Sequence, residues 1–125
     1  MTRNVISLLI LVLLFTCCAS EEKCSDFKTG NFTYVNPTFS DWKVFRNDST
    51  QIETSKATGI EVTGKVKWKA DCEYEIVYVK ANHPRLQKMI GQKVEVKIIS
   101  IKNDTITYEA ISDTIKMESK MVKVR

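Results

Sequence analysis

The sequence predicts an all-β domain, a single antiparallel up-and-down meander of about eight strands that curls into a lipocalin-like barrel or half-barrel. From Gly30 onward, apolar and polar residues alternate with a period of two. Turn-forming Asn, Asp and Ser residues interrupt this alternation at short spacing. A meander of this length hides its sheet edges by curling. An OB-type barrel is the alternative, because it also places a short helix between strands, although its usual count of about five strands is too low here.

The clearest strand covers residues 59–69, where Ile60, Val62, Val66 and Trp68 alternate with charged or hydroxyl side chains. One face is apolar and the other is polar, as in an antiparallel strand with one side on a core and the other in water. The same pattern predicts strands at 30–35, 42–47, 50–56, 59–69, 73–81, 92–102, 105–111 and 114–124.

The alternation slips by one residue in two strands. Ile99 and Ile101 follow Ile98, and Val122 follows Met121, so apolar residues change faces at these points. Each slip predicts a β-bulge or a corner at which the strand bends.

One segment departs from the β pattern and predicts a short helix near 84–90. Asn82-His83-Pro84 can cap a helix and place proline in its first turn, and Gly91 suits the C-terminal stop. Leu86, Met89 and Ile90 have helical spacing. His83 is therefore expected to be a capping or surface residue.

The N-terminal residues 1–17 have the pattern of a signal peptide. Arg3 precedes a run of apolar residues at 5–15 that only Ser7 interrupts. A helix that crosses a membrane needs about twenty apolar residues, so this run is too short to span.

The junction after this run is similar to a bacterial lipobox, and Cys18 is the expected lipidation site. Cys17 is the alternative, and ordinary cleavage after Ala19 or Ser20 is a third. Residues 18–26 are then a lipidated cysteine with a polar tether, and residues 27–125 form one β domain. A lipid anchor holds the protein at the membrane, which predicts an outer-membrane lipoprotein facing the periplasm. The Glu21-Glu22 pair leaves surface display open.

Cys24 and Cys72 are the two cysteines beyond the lipobox, and an oxidising compartment predicts a disulfide between them. Two unpaired buried thiols are the alternative. A metal site is not expected, because the chain has one histidine and no Cys-x-x-Cys spacing.

The composition argues against a nucleic-acid partner, a cofactor and catalysis. Without Arg3, the 19 basic residues fall to 18 against 15 acidic ones, and the lysines are interleaved with acids. No nucleotide motif occurs, and a catalytic triad would have to use His83, which lies beside a proline. The protein is therefore not expected to be an enzyme.

Arg46, Gln51 and Glu53 are the one polar constellation that the pattern singles out. If residues 47–50 form a four-residue hairpin loop, Arg46 faces Gln51, with Glu53 diagonal to it on the same face. On a concave face the three would serve a ligand site, and on a convex face they would be an exposed charge pair.

Aromatic side chains share the apolar face of the predicted sheet: Trp42, Trp68, Tyr74, Tyr78 and Tyr108. They could enclose a small apolar ligand in a curved sheet, or they could simply fill a solid core. In the second case, the domain would be a structural or protein-interaction component of the envelope with no ligand.

Three segments, KTGNFTY at 28–34, RNDSTQIE at 46–53 and GIEVTGKVKWKADCEY at 59–74, carry a resemblance. They resemble a family of small lipoproteins of Gram-negative bacteria, with W-x-x-D-C-E-Y as the most specific part. The resemblance implies an exported β domain of unassigned activity. Some members carry the label "DNA topoisomerase IV", which does not suit this chain, because 125 residues hold neither a cleavage domain nor an ATPase domain.

Overall fold

The computed structural model describes residues 22–113 and 115–125. In these residues, eight antiparallel strands close into one barrel, in which each strand pairs with the next along the chain and the last pairs with the first. The strands are β1 (Gly30–Tyr34), β2 (Trp42–Arg46), β3 (Thr50–Ser55), β4 (Glu61–Ala70), β5 (Glu73–Ala81), β6 (Lys93–Lys102), β7 (Thr105–Ile111) and β8 (Lys116–Val124). The predicted all-β meander is confirmed. Pairing of β8 with β1 closes the ring, so neither the half-barrel nor the OB-type alternative is observed.

Short 3-10 helices flank or connect the strands at Cys24–Phe27, Pro37–Phe39 and Pro84–Met89. The last of these corresponds to the predicted helix near 84–90, but it has 3-10 geometry and ends before Ile90. His83 caps it, since its Nδ1 accepts a hydrogen bond from the Arg85 amide at 3.1 Å.

The strand slips have mixed outcomes. The register of β6 against β7 shifts between Ile98 and Ser100, which confirms a bulge at that slip. The slip at Met121 is not a bulge, because β8 pairs in unbroken register with both neighbours there. Val122 and Val124 lie on the outer face instead, where Val124 is 50% exposed. The prediction of a bulge there was wrong because apolar residues on the outer face of the barrel gave the same sequence pattern as a strand that changes face.

Two further register shifts between β4 and β5 were not predicted. One lies between Thr63 and Gly64 and the other between Trp68 and Ala70. Lys69 and Ala70 are both exposed, so no large apolar residue changes face to mark the second shift in the sequence. Bulges of this kind sharpen the strand twist that a small barrel needs to close.

One end of the barrel is closed by the helix Cys24–Phe27. Phe27 is fully buried, and its ring centroid lies 6.4 Å from that of Phe32 in β1. A disulfide joins Cys24 to Cys72 in the β4–β5 turn, which confirms the predicted pairing. We call this the closed end, and the opposite one the open end.

Polar contacts connect the residues that precede β1 to the β6–β7 turn at the closed end. The Glu22 carboxylate accepts a hydrogen bond from the Asp104 amide at 3.0 Å, in the β6–β7 turn. Asn103 and Asp104 both have positive φ, the geometry of a tight hairpin turn that Asn and Asp tolerate. Arg125 pairs with the Asp104 carboxylate at 2.7 Å. The chain thus enters and leaves the barrel at the same end.

Gly64 lies at a close approach between β4 and β5. A Cβ built at this position would lie 2.4 Å from Cγ2 of Ile76, well inside van der Waals contact. The absence of a side chain therefore lets Ile76 pack into the barrel interior at the first β4–β5 bulge.

The predicted signal peptide at 1–17 and the lipidation candidates Cys18 and Cys17 lie outside the described residues. In residues 22–113 and 115–125, no helix is long and apolar enough to cross a membrane.

Candidate functional site

The half of the barrel towards the open end contains a cavity of about 440 Å³. Its wall is mostly apolar and aromatic, and its mouth lies among the loops at the open end. It is lined by Tyr34, Phe39, Trp42, Gln51, Glu53, Ile60, Val62, Tyr74, Ile76, Tyr78, Leu86, Met89, Val94, Val96, Tyr108, Ala110, Ser112, Ile115, Met117, Ser119 and Met121.

Strand alternation explains most of this wall, because every second residue of a barrel strand points inward. Ala110 and Ser119 supply small side chains on neighbouring strands β7 and β8. Small residues at these inward positions leave room that larger ones would fill. The hollow region is therefore encoded by side-chain size as well as by strand count.

The mouth of the cavity has an apolar rim. Leu86 and Met89 reach it from the helix Pro84–Met89, and Phe39 reaches it from the β1–β2 connection. Ile115 and Met117 complete the rim, at 60% and 47% exposure. Exposed apolar side chains around an opening offer an apolar molecule a route inward.

Gln51 and Tyr74 form the floor of the cavity, at the side nearer the closed end. Arg46 lies beneath this floor and is 1% exposed. It pairs with Gln51 across the β2–β3 hairpin. Its Nε donates to Gln51 Oε1, its Nη1 to the Phe27 carbonyl and its Nη2 to the Tyr74 hydroxyl, each at 2.9 Å. The guanidinium thus links the barrel wall to the helix that closes the barrel.

Two aromatic rings flank the same guanidinium. Its Cζ lies 4.9 Å from the Phe32 ring centroid and 4.6 Å from that of Tyr74. Among the described residues, Arg46 forms no ion pair with a carboxylate. Three neutral oxygen acceptors, the more distant Met121 sulfur and two ring faces therefore hold this buried cation.

These contacts determine which hydrogen-bonding groups of the floor face the cavity. Because the Gln51 carbonyl oxygen accepts from Arg46, its amide NH2 is the part left for other partners. The Tyr74 oxygen likewise accepts from Arg46, which leaves its own proton to donate. Both residues line the cavity, so the floor offers hydrogen-bond donors.

Glu53 lies above this floor on β3, in the cavity wall. Its Oε1 accepts a hydrogen bond from the Tyr34 hydroxyl, and its Oε2 accepts one from the Tyr78 hydroxyl at 3.4 Å. Two tyrosines from β1 and β5 therefore orient one carboxylate inside the barrel.

The structure places the predicted polar constellation of Arg46, Gln51 and Glu53 on the concave face, with Arg46 sealed below the other two. Tyr74, Tyr78 and Tyr108 also line the cavity. Trp68 does not. It packs at the closed end, 4.5 Å from the Tyr74 ring, with Lys28 Nζ 5.1 Å from its own ring centroid.

Tyr34, Leu86 and Met89 are cavity residues that the sequence analysis did not select. Tyr34 follows Phe32 by two positions in a predicted strand, so the alternation places both side chains on the same, inward face. Leu86 and Met89 were recognised as a helical pattern, but nothing in the pattern told which part of the barrel the helix would approach.

All four tyrosines of the chain lie in this region and have raised pKa values. Burial is the main cause in each, and the nearby Glu53 charge adds to it. For Tyr108 the pKa rises to about 12. The pKa values of Tyr34 and Tyr78 rise further through burial, through the Glu53 charge and through the hydrogen bonds that both hydroxyls donate to its carboxylate.

Spectrophotometric titration tests this tyrosine environment. The folded protein is expected to show little phenolate absorbance at pH 10–11, whereas the protein unfolded in denaturant ionises near the ordinary tyrosine pKa of about 10. Since the folded values are raised, the tyrosine contribution to stability is complete below about pH 10 and is lost as the pH rises towards the folded values. Ionisation of two or more tyrosines near pH 10 in the folded state would contradict the buried arrangement.

In the described part of the chain, no group of three or more His, Cys, Asp or Glu side chains is arranged to hold a metal ion. Comparisons with protein-family models, with curated proteins and with solved structures find no match to this chain.

Proposed function

We propose that this domain is a binding module that holds one small, largely apolar molecule inside the barrel, without catalysing a reaction. The observation that carries the proposal is the cavity of about 440 Å³ with an apolar wall and one open end. Ligand pockets commonly have volumes of about 300–1,000 Å³, a predominantly apolar lining and a few fixed polar groups. Glu53, Gln51 and Tyr74 would be the fixed polar groups.

The contrast between the two ends of the barrel supports this function. Protein interiors are normally packed to high density, with few voids larger than a water molecule. Towards the closed end, Phe27, Phe32 and Ile106 are at most 1% exposed. The cavity thus lies in the half that has an entrance, above this tightly packed closed end, as a binding cavity would.

We place this module at the bacterial cell envelope, tethered through a lipid on Cys18, with Cys17 as the alternative. The tether stays a prediction of the sequence. Because the chain enters the barrel at the closed end, where Glu22 contacts the β6–β7 turn, the mouth of the cavity would face away from the membrane surface. A molecule could then enter from the aqueous side.

Heavy-atom quenching provides the experiment. Trp42 lines the cavity and Trp68 does not, so a Trp68→Phe background leaves Trp42 as the fluorescent reporter among the two tryptophans of the chain. The full chain in neutral phosphatidylcholine vesicles is titrated with 1-bromooctane, an uncharged apolar quencher. We expect saturable quenching of Trp42 as the bromine enters the barrel.

The matched controls place a phenyl ring on either side of the same strand. Ala110→Phe fills the cavity from β7 and is expected to abolish saturable quenching. Ile111→Phe adds the ring at a position that is 42% exposed and is expected to leave the quenching unchanged. Equal quenching in both variants, or only linear quenching in the parent protein, would contradict the binding function.

A further inference from the structure

The charge inside the cavity is negative. Glu53 is the single charged side chain among the described residues that line it. The remaining wall is apolar, aromatic or neutral and polar. A molecule that enters the barrel therefore meets one carboxylate, fixed by two tyrosine hydroxyls.

Among the described residues, Arg46 forms no ion pair with this carboxylate. Its side chain is 1% exposed and points towards the Phe27 carbonyl at the closed end. Gln51 and Tyr74, which accept its other hydrogen bonds, lie between it and the open volume. The cation is therefore out of hydrogen-bonding reach of a ligand, whereas the carboxylate is not.

Aromatic side chains line the same cavity as Glu53. Tyr34, Tyr78 and Tyr108 line the cavity together with Trp42. The electron-rich faces of such rings attract cations, most strongly where water is excluded. Burial raises the pKa values of these three tyrosines, and the Glu53 charge raises them further. Carboxylate and rings together favour a positive partner and disfavour a negative one.

Free acceptor capacity remains on the carboxylate. An ionised glutamate has about four lone-pair sites, and an ammonium group has three donors. The two tyrosine hydroxyls occupy one site on each oxygen. An ammonium group can therefore bind Glu53 without displacing either tyrosine.

From this arrangement we infer that the ligand is an apolar molecule with one protonated amine, whose ammonium group binds Glu53 among the tyrosine rings while its apolar part lies against the aliphatic wall. The inference rests on the proposed binding function and names the ligand class for the same cavity. A fatty acid would place its carboxylate in the field of Glu53 with no exposed cation to offset it, and is therefore disfavoured.

Competition against bound 1-bromooctane tests the inference. The full chain with Trp68→Phe, in neutral phosphatidylcholine vesicles, is titrated with octylamine, octan-1-ol and octanoate, which share an eight-carbon chain and differ in head-group charge. Recovery of Trp42 fluorescence measures the affinity of each competitor. We expect octylamine to bind about tenfold more tightly than octan-1-ol, as one charge-assisted hydrogen bond provides, and octanoate to bind most weakly.

Two isosteric variants separate the cavity charge from the net charge of the protein. Glu53→Gln should remove the preference for octylamine while octan-1-ol still binds. Glu118→Gln, at an exposed position on β8, should retain the preference. Equal affinity for octylamine and octan-1-ol in the parent protein would overturn the inference and leave the binding function in place. Failure of all three to restore fluorescence, with no saturable quenching at the outset, would overturn both.

Discussion

Replacing Arg46 with alanine is expected to lower the free energy of unfolding by about 3–5 kcal/mol. The substitution removes a large buried side chain and the donors to Gln51, Tyr74 and the Phe27 carbonyl. The backbone carbonyl would be left buried without this partner, and a void would open between the barrel wall and the N-terminal helix. Urea denaturation followed by circular dichroism measures the change.

The Arg46→Lys variant tests whether the guanidinium geometry, rather than the positive charge alone, provides this stability. Lysine keeps the positive charge but presents a single ammonium group, which cannot reproduce the spread of a guanidinium over three acceptors. We therefore expect a stability between those of the parent protein and Arg46→Ala. Lys43→Ala provides the control, because Lys43 is exposed on the same strand, and the expected change is within about 0.5 kcal/mol. An Arg46→Ala protein as stable as the Lys43→Ala protein would show that the guanidinium has no structural role.

Loss of the disulfide between Cys24 and Cys72 is expected to have an effect of similar size. The two cysteines are 48 residues apart, and the chain-entropy model assigns about 4 kcal/mol to closing a loop of that length in the unfolded state. The double variant Cys24→Ser and Cys72→Ser should lose this stabilisation. The helix Cys24–Phe27 should also be held less firmly at the closed end.

Reduction of the parent protein supplies the control for this prediction. Under a thiol reductant, the parent and the double serine variant should unfold at nearly the same urea concentration, since neither then has the cross-link. Under oxidising conditions only the parent should be more stable. A difference below about 1 kcal/mol between the oxidised and reduced parent would contradict the assignment of a structural role to this disulfide.

The fold was largely predictable because strand alternation and turn residues are local signals. The predicted strand limits at 73–81 and 105–111 coincide with β5 and β7. Each remaining strand differs by one or two residues at one end, or at both ends in β4. The false bulge at Met121 arose because apolar residues such as Val124 are tolerated on the outer face. The β4–β5 register shift at Lys69 was not predicted, because the sequence pattern does not indicate the face on which an exposed polar residue lies.

The candidate site was predictable only in part, because a cavity depends on distances between strands that are far apart in the sequence. Alternation placed Arg46, Gln51 and Glu53 on one face, and the hairpin loop set their order. It could not show that Arg46 extends towards the closed end and donates to Phe27, which lies 19 residues earlier. Nor could it separate Trp68, which packs at the closed end, from Trp42, which lines the cavity.

Crystallographic location of a bound bromine tests the central claim most directly, namely that the barrel is hollow at its open end and admits an apolar molecule. Crystals of the full chain are soaked with 1-bromooctane, and the anomalous scattering of bromine is mapped. The account predicts a peak inside the barrel, in contact with Trp42, Tyr108 or Val96. Bromine found only on the outer surface, with side chains filling the barrel interior, would contradict it.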